Sequence, residues 1–323
     1  MRLRLFGLSV AVLSALVGTA AAQDSYPSRP VRWIVPFVAG GPTDTLSRIL
    51  TARLGEIWGQ SVVVENKGGA SGAIGTDLVA KAAPDGYTVL MANPGPMTVN
   101  PHLFKNVKID PLAAFDPVTL IAKAPLVVVV PQESRFASFQ ALVDEAKANP
   151  GGLTYGSAGN GSASHLATLL LANAAGLDMV HVPYKGAGPA ITDLVGGRLD
   201  FMITTLPSVV GFIENGKAKP LAVTMLERSK RLPEVPTIAE LGLPEYQAAA
   251  WYGFAVPKGT PPEVIARLRD ATVAATQSPA VQKSLDVEGA VIIANSPAEF
   301  GAFMAQESQR WASVSQQAGL TTD

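Results

Sequence analysis

The sequence predicts an α/β protein of two lobes, and three observations carry that expectation. Strand-like runs alternate with helical patterns almost to the end of the chain, which is how parallel sheets are built from βα units. The chain has 323 residues, 48% hydrophobic and 16% charged, enough for two domains of about 100–150 residues each. Two strand-like segments, 126–130 and 251–256, stand where the chain would cross to the second lobe and return.

The first elements read as strand 31–38 (VRWIVPFV), a helix over 46–58 with Leu46, Ile49, Leu50, Leu54 and Ile57 on one stripe, and a short strand 62–65. A helix over 74–83 stops at Pro84-Asp85-Gly86, and strand 87–92 (YTVLMA) completes a β-α-β-α-β unit. An irregular, Pro-rich stretch over 93–117 leads to the β-branched run 126–130 (LVVVV), typical of a strand covered on both faces. Helices 139–148, 164–174, 190–195 and 207–215 then alternate with strands 153–156, 179–184, 199–204 and 221–224. After a Pro-rich connector at 233–244, strand 251–256 (WYGFAV) and two amphipathic helices, 262–277 and 297–317, finish the chain. The expected division is lobe I over 23–124 and 250–323 and lobe II over 125–249, with a hinged cleft between them, where ligands of such folds usually sit.

Residues 1–22 differ from the rest. Arg2 and Arg4 precede an apolar run from Leu5 to Val17, and Gly18-Thr19-Ala20-Ala21-Ala22 follows. This pattern is a secretory signal peptide with cleavage expected after Ala22, which marks the mature chain for export. The apolar run is too short to span a bilayer comfortably. The formal charge of the whole chain is −1, and loss of the two leader arginines makes the mature part more acidic. No Lys or Arg run could follow a phosphate backbone, so nucleic acid is not an expected partner. Cysteine is absent, which excludes disulfides, thiolate metal sites, a Cys nucleophile and a lipid-bearing Cys.

Four strand-to-helix turns are rich in small residues: 39–44 (AGGPTD), 68–75 (GGASGAIG), 156–164 (GSAGNGSAS) and 185–189 (KGAGP). Each sets the unpaired N–H groups of a helix start at the carboxyl edge of a sheet, where an anion gains about 0.3–1 kcal/mol per helix end. The plainer reading is that these residues close tight turns and cap helices, with Thr43 and either Ser162 or Ser164 as N-caps. Repetition across both lobes favours a carboxylate site assembled from several loops. A nucleotide is not expected: no Gly-Lys-Ser/Thr ends a loop, and Ser164 stands where a dinucleotide fingerprint needs Gly or Ala.

His102, His165 and His181 are too scattered for a metal site, so no metal and no cofactor are expected. His181 alternates within a strand and reads as structural, whereas His165 lies in a helix first turn behind a Ser/Gly loop and could reach a ligand. No Gly-x-Ser-x-Gly elbow is present, and no catalytic residue is assigned. Phe37, ending the first strand, and Trp251-Tyr252 read either as core or as an apolar wall of the cleft.

In order along the mature chain stand VPFVAGGPTD, VVVENKGGASGAIG, PDGYTVLMANPG, NPGGLTYGSAGNGSASHL, VHVPYKGAGPAITDLVGGRLD, LPEVPTIAELGLPEY and WYGFAVPKGTP. This ordered set resembles the Bug-type substrate-binding proteins of tripartite tricarboxylate transporters. The resemblance implies a periplasmic-binding-protein type II fold, two doubly wound α/β lobes around a hinged cleft. It also implies that the protein passes a small carboxylate to a large and a small membrane subunit, and a monomer is the default expectation for such a fold. Carried over, the ligand-binding positions are Phe37, Ala39, Gly41, Thr43, Asp44, Ala70, Ser71, Ala92 and Asn93 from lobe I, with Ser157, Asn160, Ser162, His165, Thr204 and Thr205 from lobe II. Two departures matter: Thr204-Thr205 replaces the acid or amide of many members, and Val38 replaces the usual Pro. The first leans the ligand away from amino acids toward a plain mono- or dicarboxylate. The rival expectations are a ligand-dependent sensor that signals to a membrane receptor, and a periplasmic enzyme.

Overall fold

The computed structural model describes residues 26–105 and 107–317, so the leader and its cleavage site lie outside the described residues. The chain opens with β1 (Val31–Val35), α1 (Pro42–Trp58), β2 (Val62–Asn66), α2 (Ala73–Ala80) and β3 (Thr88–Ala92). Leu46, Leu50 and Leu54 recur every fourth residue on α1, so one stripe buries completely on the sheet, at about 1.5–3 kcal/mol per side chain. A π turn at Gly95–Val99 leads to α3 (Asn100–Leu103), α4 (Pro111–Ala114) and the 17-residue strand β4 (Phe115–Pro131).

The second series is α5 (Phe139–Ala148), β5 (Thr154–Ser157), α6 (Ala163–Ala175), β6 (Val180–Pro183), α7 (Ala187–Val195), β7 (Phe201–Thr205), α8 (Leu206–Glu214) and β8 (Ala218–Val223). The return strand β9 (Ala249–Pro257) precedes α9 (Pro262–Thr276), α10 (Pro279–Val287), the two-residue β10 (Val291–Ile292) and α11 (Pro297–Gln317).

Among the described residues the strands run in the order β2-β1-β3-β9-β4-β7-β5-β6, with β8 and β10 also paired to β4. β1, β2 and β3 are mutually parallel, as are β5, β6 and β7. β9 enters antiparallel beside β3, and β4 enters antiparallel beside β7. The two halves therefore repeat one plan, a parallel trio extended by an antiparallel strand that arrives from elsewhere in the chain.

β4 belongs to both halves. From Phe115 to Pro125 it pairs with β9, and from Leu126 to Pro131 with β7 and β8. Pro125 marks the change of partner, and Leu126 continues by exchanging hydrogen bonds with Thr224. The stretch read as irregular up to 117 is thus strand from Phe115 onward. Pro117 concealed it; the register shifts beside this proline, the usual way a strand absorbs a missing donor.

Helices cover both faces of each half. In the first half, Trp33, Leu50, Tyr252 and Phe254 pack toward α1, α9 and α10, whereas Ile34, Leu90, Trp251 and Phe300 pack toward α2 and α11. Adjacent Trp251 and Tyr252 point to opposite faces, as strand alternation requires, and both are core residues. In the second half, Phe139, Leu166 and Phe201 form one layer, and Ile191, Met202 and Val209 the other. The end of the chain carries three helices where the sequence suggested two. Ser278 caps α10 by accepting from the Val281 N–H, and Pro279 occupies its first turn, a start signal present in the sequence.

Candidate functional site

The small-residue turns gather at the carboxyl ends of the parallel strands and meet between the two halves. Ser71 Oγ donates to the Asn160 carbonyl at 3.3 Å. A Cβ built on Gly95 would lie 3.2 Å from the Gly161 carbonyl oxygen, so the two backbones all but touch there. Ala70 and Ser71 hold this position with φ of 45° and 53°, a left-handed conformation that L residues adopt only at a cost.

The turn after β1 is braced from beneath. Asp44 accepts from the Gly40 N–H at 2.9 Å, from Asn66 Nδ2 at 3.0 Å and from Arg48 Nε at 3.1 Å. Asn66 Nδ2 also donates to the Phe37 carbonyl at 3.1 Å. Burial pushes the Asp44 carboxyl up, but Arg48, the Gly40 N–H and Asn66 together hold it below the usual carboxylate range. Asp44 thus spends its oxygens inside its own half. Gly41, not Thr43, caps α1, and it brings no side-chain bond; the first-turn N–H groups keep their capacity for an acceptor. Thr43 instead receives Asn93 Nδ2 at 3.4 Å.

On the opposite wall, Ser162 caps α6 by accepting from the His165 N–H at 3.3 Å, as one of the two sequence alternatives had it. His165 Nδ1 accepts from the Gly161 N–H at 3.2 Å. Its ring stacks on His181 with centroids 4.2 Å apart, and His181 stacks on Tyr155 at 4.8 Å. Burial drives His165 down to about 3 and His181 down to about 4, so both rings are neutral near pH 7. With Nδ1 accepting, the proton of neutral His165 resides on Nε2, which is then a hydrogen-bond donor. His181 Nε2 shares a hydrogen with the buried Ser157 hydroxyl at 2.7 Å, which fixes that side chain at the end of β5.

Three deeply buried polar atoms on these edges have no partner: Asn93 Oδ1, Asn100 Oδ1 and Thr204 Oγ1. The amide orientations are fixed because Asn93 Nδ2 donates to the Trp251 carbonyl at 3.3 Å and Asn100 Nδ2 to the Ser71 carbonyl at 2.9 Å. Both free ends are therefore acceptors. Leaving such atoms unsatisfied costs about 1–3 kcal/mol each, a debt that a polar occupant removes.

Of the other expected positions, Phe37 is half-buried against the first core, Ala39 and Ala70 are exposed, and Ala92 is buried at the end of β3. Thr205 Oγ1 lies 2.8 Å from Ser208 Oγ at the start of α8. Sequence reasoning passed over Asn66, Asn100 and Tyr155, whereas His181, read as structural, holds Ser157 in place. Asn66, the polar residue ending β2, carried the one readable signal. None of the expected positions is Lys or Arg, and His165 is neutral near pH 7, so an anion here would be held by N–H and O–H donors.

The family model for the tripartite tricarboxylate transporter family receptor matches residues 46–320. The chain is 38% identical to protein BugT of Bordetella pertussis over 313 residues, 97% of this chain and 96% of BugT. It belongs to this receptor family. A solved structure of the periplasmic binding protein BugD matches with a TM-score of 0.80 at 36% identity, covering 92% of this chain and all of BugD's. Rpa4515 of R. palustris with adipate matches with a TM-score of 0.81 at 37% identity, covering 91% and 98% of the two chains. MatC of Rhodopseudomonas palustris with bound malate matches with a TM-score of 0.80 at 32% identity, covering 90% and 99%. The fold is that of a two-lobe periplasmic binding protein, and the chain is a solute-binding member of the family. Among the described residues, no helix is long and apolar enough to cross a membrane.

Proposed function

We propose that the mature chain, cleaved after Ala22 and released into the periplasm, captures a small carboxylate without chemistry and delivers it to the membrane subunits of a tripartite transporter. Lobe I is residues 23–124 with 250–323, lobe II is 125–249, and the change of partner at Pro125 on β4 supports that division. The ligand sits among the turns of Phe37–Asp44, Ala70–Ser71, Asn93, Ser157–His165 and Thr204–Thr205. Helix starts of both lobes and the His165 Nε2–H hold its carboxylate.

The observation that carries this reading is the unfilled polar capacity of the cleft, where Asn93 Oδ1, Asn100 Oδ1 and Thr204 Oγ1 are buried and unpartnered. Amide oxygens do not pair with a bare carboxylate, so a ligand hydroxyl or bridging water meets them while N–H groups meet the acid. The adipate and malate in the related structures are dicarboxylates, in keeping with this chemistry. Thr204 and Thr205 supply no charge for an amino group, which favours such acids over amino acids.

The test is thermal unfolding of the mature protein against adipate, malate, tricarboxylates, aromatic acids and amino acids. A ligand at a hundred times its dissociation constant stabilises by about 2.7 kcal/mol. A selective upward shift with a plain acid is expected. A flat response from folded protein, or selective binding of an amino acid, overturns the assignment.

A further inference from the structure

Glu288 is a buried acid that the site described above does not use. It follows α10 directly, is 5% exposed, and accepts from the Tyr252 hydroxyl at 2.5 Å. Tyr252 lies on β9, one of the two strands joining the halves, and the neighbouring Trp251 carbonyl holds Asn93 at the cleft edge. Glu288 and Asn93 are thus anchored to adjacent residues of the same strand.

The acid also borders the opposite half. Gly289 turns with φ +61°, and a Cβ there would stand 2.9 Å from Ser229 Oγ, 3.4 Å from Leu206 and 3.7 Å from Pro125. A cavity of about 560 Å³ has walls from both halves, Gly40 and Pro42 at the start of α1, Lys283 and Glu288 around α10, and Pro207 and Ser208 at the start of α8. Gly40 belongs to the turn expected to hold the ligand, so Glu288 and that turn face one space.

We propose that Glu288 takes up a proton as the two lobes close, so that this protein captures an anion and a proton together. The proposal rests on the assignment of the cleft as an anion site. The groups facing Glu288 set the sign. β9 presents Tyr252; the α1 wall presents Gly40, Pro42 and Thr45; the α8 wall presents Pro207 and Ser208; and α10 presents the exposed Lys283, the one charged side chain lining the cavity besides Glu288 among the described residues. Burial pushes the carboxyl up to about 7, and the Tyr252 hydrogen bond opposes the rise. Closure removes water and an arriving carboxylate adds like charge; both favour the neutral acid. The start of α8 favours the ionised acid, but burial is the larger effect on this carboxyl.

With a value about one unit lower once the lobes open, affinity falls about fivefold between pH 6 and pH 8, and about 0.4 proton is taken up per anion bound at pH 7. The test is calorimetric titration with adipate and with malate in two buffers of different protonation enthalpy, on wild type, Glu288→Gln and Tyr252→Phe. Glu288→Gln keeps an acceptor for Tyr252 and should abolish both the uptake and its share of the pH dependence. Tyr252→Phe removes the bond that favours the ionised acid and should move the midpoint upward, a change that loss of packing alone would not produce.

Proton release on binding, or the same proton count in wild type and Glu288→Gln, overturns the proposal. Should neither acid bind, small-angle scattering of the free protein decides the proposal. Compaction from pH 8 to pH 6 in wild type but not in Glu288→Gln sustains the coupling, and equal behaviour refutes it.

Discussion

Replacing Gly95 by Ala separates closure from folding. Gly95 opens the π turn after β3, and its φ is not in the left-handed region, so its own backbone accepts a side chain. The added Cβ would meet the Gly161 carbonyl oxygen at 3.2 Å, with Asn100 Oδ1 at 3.7 Å and the Ser71 carbonyl at 3.8 Å behind it. The nearest atom is backbone of the opposite lobe and can yield only if the lobes part by a few tenths of an ångström. Overpacking of this kind costs about 1–3 kcal/mol, and here the cost falls on the closed arrangement alone. Ligand affinity should therefore drop about 5- to 150-fold. Stability of the free protein should stay level or rise by about 0.4–1 kcal/mol, because Ala narrows the unfolded ensemble. Calorimetry with the acid that shifts melting most, together with urea unfolding without ligand, reads the two effects separately. Unchanged affinity in a folded variant would mean that the lobes do not approach this closely around the ligand, and the reasoning would fail.

Thr204→Val removes a 1% exposed hydroxyl with no partner, so the free protein should hold or gain about 1 kcal/mol while the acid binds about tenfold more weakly, checked by the same two assays. Asp44→Asn replaces a buried acid that braces the first turn and should cost about 2 kcal/mol in urea unfolding at pH 7; the wild-type advantage is present above the ordinary carboxylate range and lost as pH falls through the depressed value. His165 and His181 have folded values of about 3 and 4, below the unfolded 6.5, so unfolded chains bind more protons between those limits. Stability should then fall as pH drops from about 6.5 toward 4, and His181→Phe, measured at pH 7 and pH 4.5, should lessen that slope while releasing Ser157.

The elements most legible in the sequence were those whose packing is local. α5 carries Phe139, Leu142, Val143 and Ala146 on one face behind the Ser138 cap, and its observed limits are the expected ones. The parallel strands β3 and β7, buried on both faces, were read to within two residues of their observed limits from their apolar runs. β4 was half legible because its first part mixes Pro117, Lys123 and Pro125 into an apolar run, and only the register shift against β9 explains how prolines fit there. α10 was missed although Ser278-Pro279 is a good start signal, since nine residues with a single turn of apolar spacing carry little periodicity.

The candidate site was legible as a set of turns and not as a set of contacts. Small residues between strand and helix mark where a ligand can approach backbone, and that pattern is written locally. Which side chains hold those turns in place depends on partners far along the chain: Asn66 on Phe37, Asn93 on Trp251, and Ser157 on His181. Asp44 shows the consequence. Its place at a helix start beside the glycines suits either a ligand group or, since a like charge repels an anion, an acid that orients the helix; Arg48, one helical turn on, and Asn66, ending the next strand, take its charge and make it a brace. An anion site without basic side chains needs such braces, because its donors are backbone N–H groups that hold an acid only while the loops carrying them keep their shape.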